Sequence, residues 1–151
     1  MSISTTKDET KTKPNGLELL QQMANGQIPG PAMADTMGMK LSHAEEGFVI
    51  FLATADERHT NPLGGVHGGF AATVLDSVTG CAVHSMLPPR IGYGTIDLNV
   101  KMLKAIPPGI ELIAEGRIIS ISKRLGVADG LIKDDEGTIY AHGSATCMIL
   151  R

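Results

Sequence analysis

The stretch NPLGGVHGGFAATVLDSVTG, residues 61–80, opens on two glycine pairs around a histidine and continues as small and apolar residues. One carboxylate, Asp76, stands in their midst. From Gly68 the pattern predicts a helix to about residue 86. Pro88 and Pro89 then end it, since a proline drives the preceding residue out of helical backbone. With about 100° of rotation per residue, the face around Asp76 holds Gly69, Ala72, Thr73, Thr79, Gly80 and Val83. The opposite side holds Phe70, Ala71, Val74, Val78 and Cys81. A helix apolar on most sides is a buried helix, and its small-residue face admits another backbone or a ligand. Asp76 is then either a structural acid, satisfied by Thr73, Thr79 or a backbone donor, or a reacting group. An unpartnered buried carboxylate is costly, and the residues upstream favour the second reading.

Upstream, Gly64, Gly65, Gly68 and Gly69 permit close backbone approach. The first turn of a helix leaves its N–H groups unpaired, with the positive end of the helix dipole behind them. Such donors suit a developing oxyanion. No Gly-Lys-Ser/Thr ending follows, so a phosphate-binding P-loop is excluded.

The rest of the chain supplies strands. MKLSHAEEG and FVIFLATA read as a hairpin turning near Glu46 and Gly47. In GYGTIDLNVKML, Ile96, Leu98, Val100 and Met102 alternate with Thr95, Asp97, Asn99 and Lys101, a strand period of two. IELIAEGRIISIS, LGVADGLIKD and TIYAHGSATCMIL follow, separated by the Pro107-Pro108-Gly109 and DDEG turns. Strands joined by short turns imply an antiparallel meander, and a sheet with one long apolar helix wraps that helix. Nearer the start, Asn15, Glu18 and Gly26 punctuate a short helix carrying Leu17, Leu20 and Met23. QIPGPAMADTMG reads as a connector. Residues 1–13 form a polar tail expected to be disordered, and residues 14–151 form one domain.

Composition narrows the function. A net charge of −3, 3% aromatics and no Trp give no footing for nucleic acid. No apolar run approaches the ~20 residues of a membrane span, and MSISTTKDETKTK has no apolar signal-peptide core. The two cysteines, Cys81 and Cys147, lie in apolar runs and read as reduced thiols. A reducing cytoplasm is the expected compartment. His43, His59 and His142 are scattered without ligand spacing, so no metal site is expected. His84 reads as a partner of the last helical carbonyls.

NPLGGVHGGFAATVLDSVTGCAVHS, with GYGTIDLNVKMLKAIPPG and GSATCMIL after it, resembles the hotdog-fold acyl-CoA thioesterases of the phenylacetic-acid-degradation (PaaI-like) type, over about residues 33–150. The resemblance implies an α+β hotdog fold: an antiparallel sheet wrapped around a long central helix, here with a short N-terminal helix. It implies hydrolysis of an acyl- or aryl-CoA without metal or organic cofactor, and a homodimer or a tetramer of two dimers. It further implies roles for single residues. Asp76 is the nucleophile or the general base for water. The Gly68 N–H polarises the thioester carbonyl, with His67 supporting the helix N-terminus before it. Asn61 positions water or carbonyl, and Thr95 on the next strand orients the attack. Gly69 adjoins the substrate. One position departs from the pattern: some relatives carry Glu at the acid and Ser or Thr four residues later, where this chain has Asp76 and Gly80.

Gly68 and Asp76 stand ~12 Å apart along one helix, so one helix cannot bring both to one carbonyl carbon. Two antiparallel helices about a two-fold axis could, which would put the site at an isologous interface. Ser122, Lys123 and Arg124 are either a solvated turn or a contact to the CoA phosphates. Met33, Met37 and Met39 read as core, while the resemblance implies that this region can line the acyl tunnel. Two rival functions remain: a hotdog hydratase or dehydratase, which would pair a His with an acid around a Pro-richer loop, and a non-catalytic acyl-CoA sensor.

Overall fold

The computed structural model describes residues 12–151, so all but the last two residues of the expected tail lie outside the described residues. Two short helices come first, α1 (Gly16–Ala24) and α2 (Ala32–Met37). The hairpin β1 (Met39–Glu45) and β2 (Phe48–Thr54) leads through a 3-10 turn to the long helix α3 (Gly68–His84). Four strands follow: β3 (Gly92–Met102), β4 (Glu111–Ile121), β5 (Leu125–Lys133) and β6 (Ile139–Leu150). The six strands make one sheet in the order β1-β2-β4-β5-β6-β3, antiparallel at every junction. The sheet curls around α3, as the alternation of short turns and one apolar helix predicts.

α3 is held by its apolar majority. Val74, Leu75, Val78, Ala82 and Val83 are fully buried, and each large side chain among them contributes about 1.5–3 kcal/mol by leaving water. The sheet makes room with bare backbone. A β-carbon on Gly116 of β4 would strike the Val78 carbonyl, and one on Gly130 of β5 would lie 2.9 Å from a Leu75 methyl. The helix therefore rests close to the strand backbones.

Asn15 caps α1 as expected, accepting from the Glu18 N–H at 2.8 Å. The Gly16 N–H donates to the Leu87 carbonyl, fastening the start of α1 to the exit of α3. In the hairpin, Gly47 adopts φ 76°, and its N–H donates to Ser85 Oγ at 2.8 Å.

Two expectations are corrected. The Pro/Gly connector contains α2, whose Gly38 closes it in left-handed backbone at φ 61°. Its six residues are too few for an apolar period to be read. The strict alternation of β3 also breaks. Thr95 pairs with Cys147 and Asp97 with Thr146, so Ile96 is an extra, bulged residue. The bulge puts Thr95 on the helix-facing side with Leu98 and Val100, not with Asp97 and Asn99. Bulges re-aim side chains in this way.

Among the described residues, no helix is long and apolar enough to cross a membrane.

Candidate active site

The loop before α3 is built from its own side chains. Asn61 Oδ1 accepts from the N–H groups of Leu63 (3.0 Å) and Gly65 (3.1 Å). A bridge between Thr60 and Val66 closes the loop. Beneath it His59 is buried. Its Nδ1 accepts from the Asp56 N–H, and its Nε2–H donates to the Thr36 carbonyl at 2.7 Å. The loop thereby delivers His67 to the N-cap of α3. His67 Nδ1 accepts from the Gly69 N–H at 2.7 Å, so that donor is engaged and Nε2 carries the ring proton. The Gly68 N–H, between them, donates to no atom among the described residues. One loop thus caps one amide and leaves its neighbour open.

Two turns further on lies Asp76. Its Oδ1 is buried and has no hydrogen-bond partner among the described residues. The hydroxyls that could satisfy a structural acid are engaged elsewhere. Thr73 donates to the Gly69 carbonyl, Ser77 to the Thr73 carbonyl and Thr79 to the Leu75 carbonyl. Asp76 opens instead into a cavity of about 760 Å³ between α3 and the α1–α2 roof, within the size range of small-molecule sites. Thr95 and Tyr93 of β3 line it beside the acid, and Met23, Met33 and Met39 line it under the roof. Met37 is buried in the core instead.

The groups around Asp76 are held neutral. Burial pushes the Cys81 thiol up to about 12, too high for a nucleophile near neutral pH. Burial, then Cys81, Cys147 and Asp76, hold the Tyr93 phenol above its ordinary range. Burial alone lowers the His84 imidazole. Thr95 Oγ1 lies 3.7 Å from Cys147 Sγ.

Gly68 faces a different space. A cavity of about 270 Å³ at the helix N-terminus is lined by His67, Gly68, Met102, Lys104 and Tyr140. Within one chain, then, the open amide and the unpartnered carboxylate belong to separate cavities. Asn61 lies on the Gly68 side, and Thr95 on the Asp76 side.

Ser122, Lys123 and Arg124 form the β4–β5 turn. Ser122 closes it through its N–H and Oγ against Leu125, and the two cations are exposed and line neither cavity. Three residues of the site carried no usable signal in the sequence. His59 belongs to an Asp-x-x-His capping pattern that scattered histidines conceal. Lys104 follows a strand with nothing to tie it to Gly68. Tyr93, between two glycines, gives only the hint of an aromatic in a chain with few.

Comparison with known proteins agrees with this architecture. Residues 63–141, just over half of the chain, match the family model of the Thioesterase superfamily. A Halobacterium salinarum protein, named provisionally as an esterase, is 36% identical over 98 residues, 62% of this chain and 64% of that protein. Acyl-coenzyme A thioesterase 13 of Mus musculus is 32% identical over 93 residues, 60% of this chain and 65% of that protein. The matched part thus spans just under two thirds of each relative. Among solved structures, a phenylacetic acid degradation-related protein of Ralstonia eutropha superposes with a TM-score of 0.77 at 28% identity, covering 85% of this chain and 98% of that one. The hotdog fold, the helix that begins at an open amide and the matched segment around both lead to one statement: this chain belongs to the thioesterase superfamily.

Proposed function

We propose that the protein is an acyl-CoA thioesterase, acting as a homodimer or as a tetramer of two dimers, with each active site shared between two chains. One observation carries the reading: α3 presents an undonated N–H at Gly68 and an unpartnered carboxylate oxygen at Asp76, each opening into its own cavity. Thioester hydrolysis needs such a pair, a donor for the carbonyl oxygen and a group that attacks the carbonyl carbon or activates water. The edge strand β3, 11 residues long, has no neighbour on its outer side among the described residues. Antiparallel pairing with a second β3 would set two α3 helices side by side, bringing Gly68 of one to Asp76 of the other.

In that site the acyl group enters the larger cavity, and Gly68 holds the carbonyl oxygen. Asp76 either adds to the carbonyl carbon, expelling CoA thiolate to leave an anhydride that water opens, or takes a proton from the water that adds. In both routes the C–S bond breaks, the thiolate takes up a proton and the free acid leaves. Asn61 holds the loop behind Gly68, His67 keeps the helix entry capped, Gly69 adjoins the carbonyl, and Thr95 faces the reacting end. Lys123 and Arg124, with Ser122 shaping their turn, meet the CoA phosphates. The catalytic unit is the one domain of residues 14–151. Two unpaired cysteines fit a reducing cytoplasm.

The test is a panel of acyl- and aryl-CoAs with a thiol reagent. Thiol release above the uncatalysed rate is the expected result, whereas saturable binding with no release would make the protein a sensor of its ligand. Single-turnover hydrolysis in heavy-oxygen water separates the two routes, since a nucleophilic Asp76 takes up the label before the product does.

A further inference from the structure

The buried histidine beneath the loop has more partners than a cap needs. The His59 side chain is only 4% exposed. Its Nδ1 accepts from the Asp56 N–H at 3.0 Å, and its Nε2–H donates to the Thr36 carbonyl at 2.7 Å. Its ring packs on Phe70, in the first turn of α3, with centroids 5.0 Å apart. Both nitrogens and one face are engaged, and a buried polar group so satisfied holds rigid the backbone that carries it.

That backbone leads to the open amide. The His59 carbonyl accepts from the His67 N–H at 2.7 Å. His67 in turn caps the Gly69 N–H, and the unengaged Gly68 N–H lies between the two. In the other direction the ring reaches the roof. The last carbonyls of a helix have no partner inside it, and the 56–59 turn supplies donors to two of them at the end of α2. Arg58 Nη1 donates to the Asp35 carbonyl at 3.1 Å, and His59 donates to that of Thr36. The same short helix puts Met33 and Ala34 into the wall of the larger cavity.

We infer that His59 is a positioning residue that ties the roof of the larger cavity to the loop aiming the Gly68 N–H, through the Thr36 carbonyl on one side and the His67 N–H on the other. Its consequence for turnover rests on the thioesterase reading; the tie itself does not.

The two ring bonds can be separated. His59→Asn retains an acceptor for the Asp56 N–H and loses the donor to Thr36. His59→Gln, one methylene longer, retains a donor for Thr36 and loses the cap. Assayed well below their thermal midpoints, His59→Asn should lower kcat on the order of tenfold, short of the ~10²–10³ that follows loss of an oxyanion donor itself. KM should stay near the parent's, because the misaimed bond matters in the transition state. His59→Gln should restore most of the loss. Arg58→Ala removes the companion bond from an exposed side chain and should lower kcat in the same direction, and it decides the matter if His59→Asn does not fold. A second readout needs no turnover. Hydrogen exchange at the His67 amide should quicken roughly tenfold in His59→Asn, while the amides of β4 keep their protection, as a local opening requires. If that exchange quickens but the parent hydrolyses no acyl-CoA, the tie stands and the thioesterase reading falls. If the parent hydrolyses acyl-CoA and His59→Asn keeps its kcat, raises KM alone, is not improved upon by His59→Gln, or leaves the His67 amide unchanged, the inference is overturned.

Discussion

The two ends of the functional stretch of α3 are opposites. At Gly68 the chain is half-exposed, rich in glycine and held by a loop whose own side chains order it. At Asp76 it is packed between sheet and roof, and the neighbouring hydroxyls are turned onto the helix itself. One end offers a donor with no acceptor, the other an acceptor with no donor. In the proposed site each end is half of a chemical arrangement, and the rise of the helix keeps the halves apart within one chain. Fold stability and reactivity are thus divided along a single element. Its apolar back fixes where it lies, and its two unpaired groups are the ones to which the proposed function assigns the chemistry.

The sharpest way to break this contrast is at the acid. Asp76→Asn keeps size and hydrogen bonding but removes the charge, so kcat should fall by at least ~10² with the thermal midpoint retained. Turnover near the parent's would remove Asp76 from the chemistry.

The division between chains is tested next. Asp76→Asn and Asn61→Ala should each be poorly active alone. When their subunits exchange at random, a mixed dimer collects both defects in one site and none in the other. About a quarter of wild-type sites should return, given an isologous interface. A doubly tagged, purified mixed dimer no more active than its parents would place Asn61 and Asp76 in one chain's site.

A smaller effect separates the cations. Lys123→Ala with Arg124→Ala should raise KM for acyl-CoA several-fold at low salt and leave kcat alone, because uniform binding is lost. Lys104→Ala, beside Gly68, is the control. If KM rises there and not in the double variant, the phosphates lie at the Gly68 end and the β4–β5 turn is a solvated surface.

The least effect is on pH dependence. Burial holds the folded His84 below its ordinary 6.5. The unfolded chain therefore binds the proton first, and stability from this group is full above that value and declines as pH falls below it. Thermal midpoints measured downward from neutral pH should decline less in His84→Gln than in the parent.

Much of the frame was legible because it rests on local pattern. Gly68 and the double proline bracket α3, and turn residues separate the strands. The acid and the open amide could also be named, since a helix start and a lone carboxylate are one-dimensional features. What escaped depends on contacts between distant segments. The bulge at Ile96 is set by register against β6, α2 is shorter than any readable period, and Tyr93 meets Gly80 only once β3 lies against α3. The departure at Gly80 was visible in the sequence as a missing side chain. What fills the gap belongs to tertiary structure.

The sheet order also sets a timetable for synthesis. Among the described residues β3 has one partner, β6, the last of the six strands in chain order. The intervening β4 and β5 must be translated first, which takes roughly 2–7 s at 5–20 residues per second. Throughout that interval β3 carries two unsatisfied edges, with Ile96 and Met102 still exposed in the finished chain. A nascent chain of this topology can pair strand to strand with its neighbours on a polysome before its own sheet exists. Slow codons between β3 and β6 should therefore lower soluble yield, and faster ones there should raise it.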